Sequence, residues 1–109
     1  MAATASHHLP LVFIHAFPLH AGMWEPQRQG LGELAPIVTL DLPGFGNEAR
    51  LDSETFTMKL AARVVQRELE VKKIDQCVLI GLSMGGYVAF ECWRRFPEKI
   101  RGLVLADTR

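Results

Sequence analysis

The chain has 109 residues, enough for one domain at most, and folding buries roughly two-thirds of the surface of an unfolded chain this size. Its 49% hydrophobic and 22% charged content exclude a disordered segment. Lysine plus arginine equals aspartate plus glutamate at 12 each, so no global field recruits nucleic acid or an anionic membrane.

No apolar run is long enough to span a bilayer. The opening Met1 to Ser6 lacks the basic stretch and apolar segment of a signal peptide. The first strand is expected over Leu9 to His15, a nearly unbroken apolar run suited to burial on both faces. A loop with Pro18 and Gly22 follows. Trp24, Leu31, Leu34 and Ala35 then recur at helical spacing, with Pro26 tolerable in a first turn and Gly30 and Gly32 weakening the helix.

A second buried strand is expected over Pro36 to Leu40, stopped by the turn signals of Asp41 to Gly46. Past a polar loop, Thr57 is placed as an N-cap, with Phe56 and Ala61 as a hydrophobic staple. Ala61, Val64, Val65 and Leu69 form one apolar helical stripe that ends near Lys72 and Lys73. Cys77 to Ile80 reads as a third strand, Gly85 to Arg95 as a helix stopped by Pro97, and Ile100 to Ala106 as a fourth apolar run. Strands alternating with helices imply right-handed crossovers and a mostly parallel sheet with helices on both faces: an α/β architecture. Cys77 and Cys92 are too few for a disulfide framework and too far apart for a CxxC motif, so buried free thiols in a reducing cytoplasm are expected.

Between the third strand and its helix stands Gly81-Leu82-Ser83-Met84-Gly85, a G-x-S-x-G. With Gly and Ser near 7% each, a chain this long would show about 0.04 such matches by chance, and the strand before and helix after supply the required context. A sharp strand-to-helix turn strains the serine and lifts its hydroxyl above the carboxyl edge of the sheet. Glycines two residues either side avoid collision with neighbouring backbone. The helix N-terminus adds amides and a positive dipole that favour an oxyanion. The plain alternative is a Gly-Ser turn with no chemistry.

Three segments together resemble the α/β-hydrolase fold family over nearly the whole chain. "FIHAFPLHAGMW" (Phe13 to Trp24) is similar to the family's oxyanion loop after the third strand. "DLPGFG" (Asp41 to Gly46) looks like its turn after the fourth. "GLSMGGYVAF" with "RFPEKIRGLVLADTR" resembles its nucleophile elbow, helix and following strand. The resemblance implies Ser83 as the nucleophile of an acyl-enzyme, backbone N–H groups of Phe17 and Met84 as the oxyanion hole, and a small-molecule acyl or ester substrate. No cofactor is expected, and no metal either, since no Cys, Asp or Glu stands at ligand spacing. Ala16 stands where the family usually has glycine. Haloalkane dehalogenases are disfavoured because they place Asp at the position of Ser83.

The family orders its catalytic residues Ser, Asp or Glu, then His, yet His7, His8, His15 and His20 all precede Ser83. His15 is expected to shape the oxyanion loop, and His20 could line the pocket or be a solvated loop residue. His7 and His8 read as a tail without partners at metal-ligand spacing. Asp107, ending the fourth apolar run, is a candidate acid, since some relatives place theirs there, or a cap for the following turn. Without a base a serine hydroxyl is a weak nucleophile. Residues 1–109 are therefore expected to form the N-terminal part of a single α/β-hydrolase domain, truncated after the strand following the elbow, with the substrate-selecting cap and the C-terminal part absent. The exposed edge of the fourth strand then leads us to expect self-association, pairing with a missing C-terminal portion, or aggregation, and weak or no hydrolysis by this chain alone. A non-catalytic module that binds a ligand over the same elbow is the competing reading. A nucleotide-binding domain fails on pattern, since no GxGxxG or GxxxxGK followed by Ser or Thr is present.

Overall fold

A computed structural model describes residues 9–17, 19–43 and 57–108. Expectations for His7, His8, residues 44–46 of the turn and Phe56 of the staple lie outside those residues. Four strands, β1 (Leu11–Ile14), β2 (Ile37–Thr39), β3 (Cys77–Leu82) and β4 (Ile100–Ala106), form one parallel sheet in the order β2-β1-β3-β4. The helices α1 (Glu25–Leu31), α2 (Met58–Val71) and α3 (Met84–Arg95) make the crossovers, with a 3-10 turn at Ala21–Trp24 before α1.

The core lies between the sheet and the α2–α3 pair. Val12, Ile14, Cys77, Leu79 and Ile100 of the strands meet Ala61, Ala62, Val65 and Leu69 of α2 and Val88, Ala89 and Cys92 of α3. All are buried, and each Val, Leu or Ile so placed contributes about 1.5–3 kcal/mol of transfer free energy. Phe13, alternating with Val12 and Ile14, faces the other side, where its ring centroid lies 4.7 Å from that of Trp24. The 3-10 turn thus covers the second face.

Local signals act where the sequence places them. Thr57 accepts from the Leu60 N–H at 3.0 Å and caps α2. Pro26 sits in the first turn of α1. The helical spacing carried one step too far: α1 ends at Leu31, and Leu34 is 66% exposed instead of joining an apolar stripe. Gly30 and Gly32 lower helix propensity at that point, and the Leu34 N–H closes a turn onto the Leu31 carbonyl at 2.8 Å. β3 runs two residues beyond its expected end, through Leu82.

Because β1 connects outward to β2 while β3 connects outward to β4, the strand order reverses between β1 and β3. In open α/β sheets that reversal opens a crevice at the carboxyl ends of the strands. Ile14 is in register with Gly81, so the loop after β1 and the turn after β3 leave the sheet side by side at that edge. β4 has a single strand neighbour among the described residues, and its Val104 and Leu105 are 48% and 37% exposed.

Candidate active site

Ser83 is the residue on which β3 becomes α3. Its φ of 54° and ψ of −111° lie in a region that side-chain-bearing residues avoid, at a cost of about 1–3 kcal/mol. Its own N–H donates to the Ala106 carbonyl at 2.9 Å, and its carbonyl accepts from the Gly86 N–H at 2.9 Å, which turns the chain into the helix.

The flanking glycines are required by contact. A Cβ on Gly81 would meet the Gly85 carbonyl, and one on Gly85 would meet the carbonyls of Ile14 and His15. Both contacts are to backbone, so neither position admits a side chain without moving the elbow against β1. The first turn of α3 is thereby pressed onto the start of the β1 loop. Met84, the first residue of α3, has an N–H with no partner inside the helix by position. Phe17 lies on that β1 loop, exposed to solvent.

On the β4 side, a cavity of about 280 Å3 is lined by Ser83, Tyr87, Asp107 and Thr108. Ser83 and Asp107 are thus brought to one space, although 24 positions apart in sequence. Asp107 also has a positive φ, 51°, directly after β4 ends. The Thr108 hydroxyl stands 3.2 Å from the Ser83 and Ala106 carbonyl oxygens. Phe17 and Met84 are not among the cavity's lining residues. Phe17, on the β1 loop, and Asp107 therefore flank the serine from opposite sides of β3. Tyr87 and Thr108 escaped the sequence reading. Tyr87 carried a signal, four residues after Ser83 and so one helical turn along the same face; Thr108 carried none, because only the β3–β4 register brings it here.

His15 is buried and structural. Its Nδ1 bonds to the Ala16 carbonyl at 3.0 Å, and its Nε2 accepts from the Leu42 N–H at 3.0 Å. That pattern requires the neutral ring protonated on Nδ1, and burial holds its pKa below the ordinary 6.5. The ring ties the loop after β1 to the segment after β2. Asp41 does the same nearby, its carboxylate accepting from the Ala21 N–H at 2.7 Å. His20 caps the 3-10 turn, accepting from the Gly22 N–H through Nδ1 at 3.0 Å. No described histidine lines the Ser83 cavity. Cys77 and Cys92 are free and buried, and burial raises their thiols to about 11 and about 12, so neither competes as a nucleophile. Among the described residues no helix is long and apolar enough to cross a membrane, and no group of three or more His, Cys, Asp or Glu could hold a metal ion.

A biotin biosynthesis bifunctional protein of Cellvibrio japonicus is 34% identical over 94 residues, covering 86% of this chain and 18% of that protein. A pimeloyl-acyl-carrier-protein methyl ester esterase of Nitrosospira multiformis is 32% identical over 100 residues, covering 90% of this chain and 38% of the esterase. Among solved structures, a thermophilic esterase from Thermogutta terrifontis superposes with a TM-score of 0.86 at 37% identity, covering 93% of this chain and 37% of the esterase. The chain thus spans less than two-fifths of the length of each of these relatives. The family model described as alpha/beta hydrolase fold matches residues 10–108, which includes every strand and the elbow, and the chain belongs to that family.

Proposed function

We propose that Ser83 is the nucleophile of a serine hydrolase acting on esters or related acyl compounds. The observation that supports this most is the strained backbone of Ser83 at the head of α3, on the cavity it shares with Tyr87, Asp107 and Thr108. Strain of this kind persists where the surrounding structure over-determines it, and it exposes a hydroxyl that a relaxed turn would fold away. The hydroxyl would attack an acyl carbon, forming an acyl-enzyme. The oxyanion would be met by the N–H of Met84 and that of Phe17, each such donor being worth roughly 3 kcal/mol. Asp107, across the same cavity, is the candidate acid. The esterase relatives point to an ester as the substrate, and no cofactor is invoked.

A base is also required. His15 is committed to the Ala16 and Leu42 backbone and His20 to its cap, so we propose that the base comes from outside residues 9–108, from further chain of the same domain or an added segment. That commitment also favours a second reading, a binding module or inactive fragment when the chain stands alone. Pairing through β4 with a second copy or with further chain of the domain, and a cytoplasmic setting for the two free thiols, complete the proposal.

The test uses the 109-residue chain, an activated aryl ester and added imidazole as a surrogate base. A triad-less site still retains roughly 10^3-fold catalysis over water from its oxyanion hole and binding. Mass spectrometry should therefore find an acyl adduct on the peptide carrying Ser83, formed faster with imidazole and absent in Ser83→Ala. An unmodified Ser83 under both conditions would favour the binding-module reading.

A further inference from the structure

Thr108 makes contacts that a simple end-of-strand residue would not need. Its Oγ1 lies 3.2 Å from the Ser83 carbonyl oxygen and 3.2 Å from that of Ala106, with one hydroxyl proton to share between them. Its methyl and hydroxyl occupy the space where a Cβ on Gly86 would stand, so Gly86 and Thr108 are fitted to each other. The Ala106 carbonyl also accepts from the Ser83 N–H, so both ends of the Ser83 residue are tied to the terminus of β4.

The Ser83–Met84 peptide is planar and trans, so its C=O and N–H point in opposite directions. Whatever holds the Ser83 oxygen therefore sets the direction of the Met84 N–H, out of the N-terminal end of α3. Two donors hold that oxygen: the Gly86 N–H, part of the helical turn itself, and the Thr108 hydroxyl, which arrives from a different strand. A hydrogen bond to a peptide oxygen also polarises the unit and strengthens donation by its N–H.

We propose that Thr108 is a positioning residue for the Met84 N–H, aiming it at the oxyanion formed on the acyl carbon attacked by Ser83. This rests on the nucleophile reading above. Thr108 touches no reacting atom; it acts through the peptide it holds.

Two substitutions separate this role from packing. Thr108→Val keeps the shape and removes the hydroxyl; Thr108→Ser keeps the hydroxyl and removes the methyl. Three readouts are taken on the 109-residue chain: the imidazole-assisted acylation rate of Ser83, the Met84 amide resonance in a 1H–15N spectrum, and the melting temperature. Thr108→Val should slow acylation roughly tenfold, within the 10^2–10^3 that full loss of an oxyanion donor costs. It should also move the Met84 amide proton upfield. Thr108→Ser should stay near the parent in both, even where its melting temperature falls. The proposal is overturned if Thr108→Val matches the parent in acylation rate and Met84 resonance, or if Thr108→Ser is as defective as Thr108→Val. If the parent chain is not acylated at all, the nucleophile reading fails, and the Met84 resonance alone still decides whether Thr108 aims that amide.

Discussion

Replacing Ser83 with glycine should stabilise the protein while abolishing the acylation proposed for that residue. At φ 54° and ψ −111° the serine carries about 1–3 kcal/mol of backbone strain, and glycine reaches the same angles without a Cβ to clash. Glycine also loosens the unfolded chain, which returns about 0.5–1 kcal/mol of that gain. A net stabilisation of roughly 0.5–2 kcal/mol remains. An unfolding entropy of about 2.1 cal/mol/K per residue, taken over 109 residues, makes each kcal/mol worth about 4 °C. The melting temperature should therefore rise by roughly 2–8 °C in Ser83→Gly. Ser83→Ala keeps the Cβ and the strain, and should melt close to the parent. Thermal and urea unfolding of the three chains side by side, followed by circular dichroism, gives the comparison. A glycine variant no more stable than the alanine variant would refute the idea that the elbow stores strain. Both variants should lose the acylation proposed for Ser83, the expected exchange of stability against function at a strained site.

Gly85→Ala drives a Cβ into the Ile14 and His15 carbonyls and should lower stability by about 3 kcal/mol, whereas Gly30→Ala, with nothing within 4 Å, should raise it by up to about 1 kcal/mol through helix propensity; urea midpoints of the two decide between contact and composition. The His15 imidazole is held neutral in the fold, so the unfolded chain takes up a proton first. This group's contribution is complete above about pH 6.5 and is lost as pH falls below it, and a His15→Gln variant should show a shallower decline in urea midpoint between pH 7.5 and 5.5, a range set by the ordinary imidazole value and the downward shift. Val104→Lys places a charge on the exposed face of β4 and should reduce self-association measured by light scattering at equal concentration; unchanged scattering would show that β4 is not the sticking surface.

Much of the element order was legible in the residues alone, because its causes are local. Ala61, Val65 and Leu69 share a helix face by spacing, Thr57 caps by its own hydroxyl, and Ile100 to Ala106 forms the strand its apolar run announces. The elbow was legible for the same reason, since two glycines flanking a serine between strand and helix state a steric requirement within five residues. The end of α1 was less so: the apolar repeat persisted to Leu34 while backbone propensity failed at Gly30 and Gly32. What only the tertiary structure decided is whatever depends on sheet order and register. That β1 lies between β2 and β3 brings the loop after β1 alongside the elbow. That β4 pairs with β3, Ala106 opposite Leu82, brings Asp107 and Thr108 to the serine. That His15 reaches across to the Leu42 N–H fixes the loop after β1 against the segment after β2, a tie between positions 27 residues apart. Strand pairing is chosen by burial summed over the whole sheet, and no short window of sequence contains that sum.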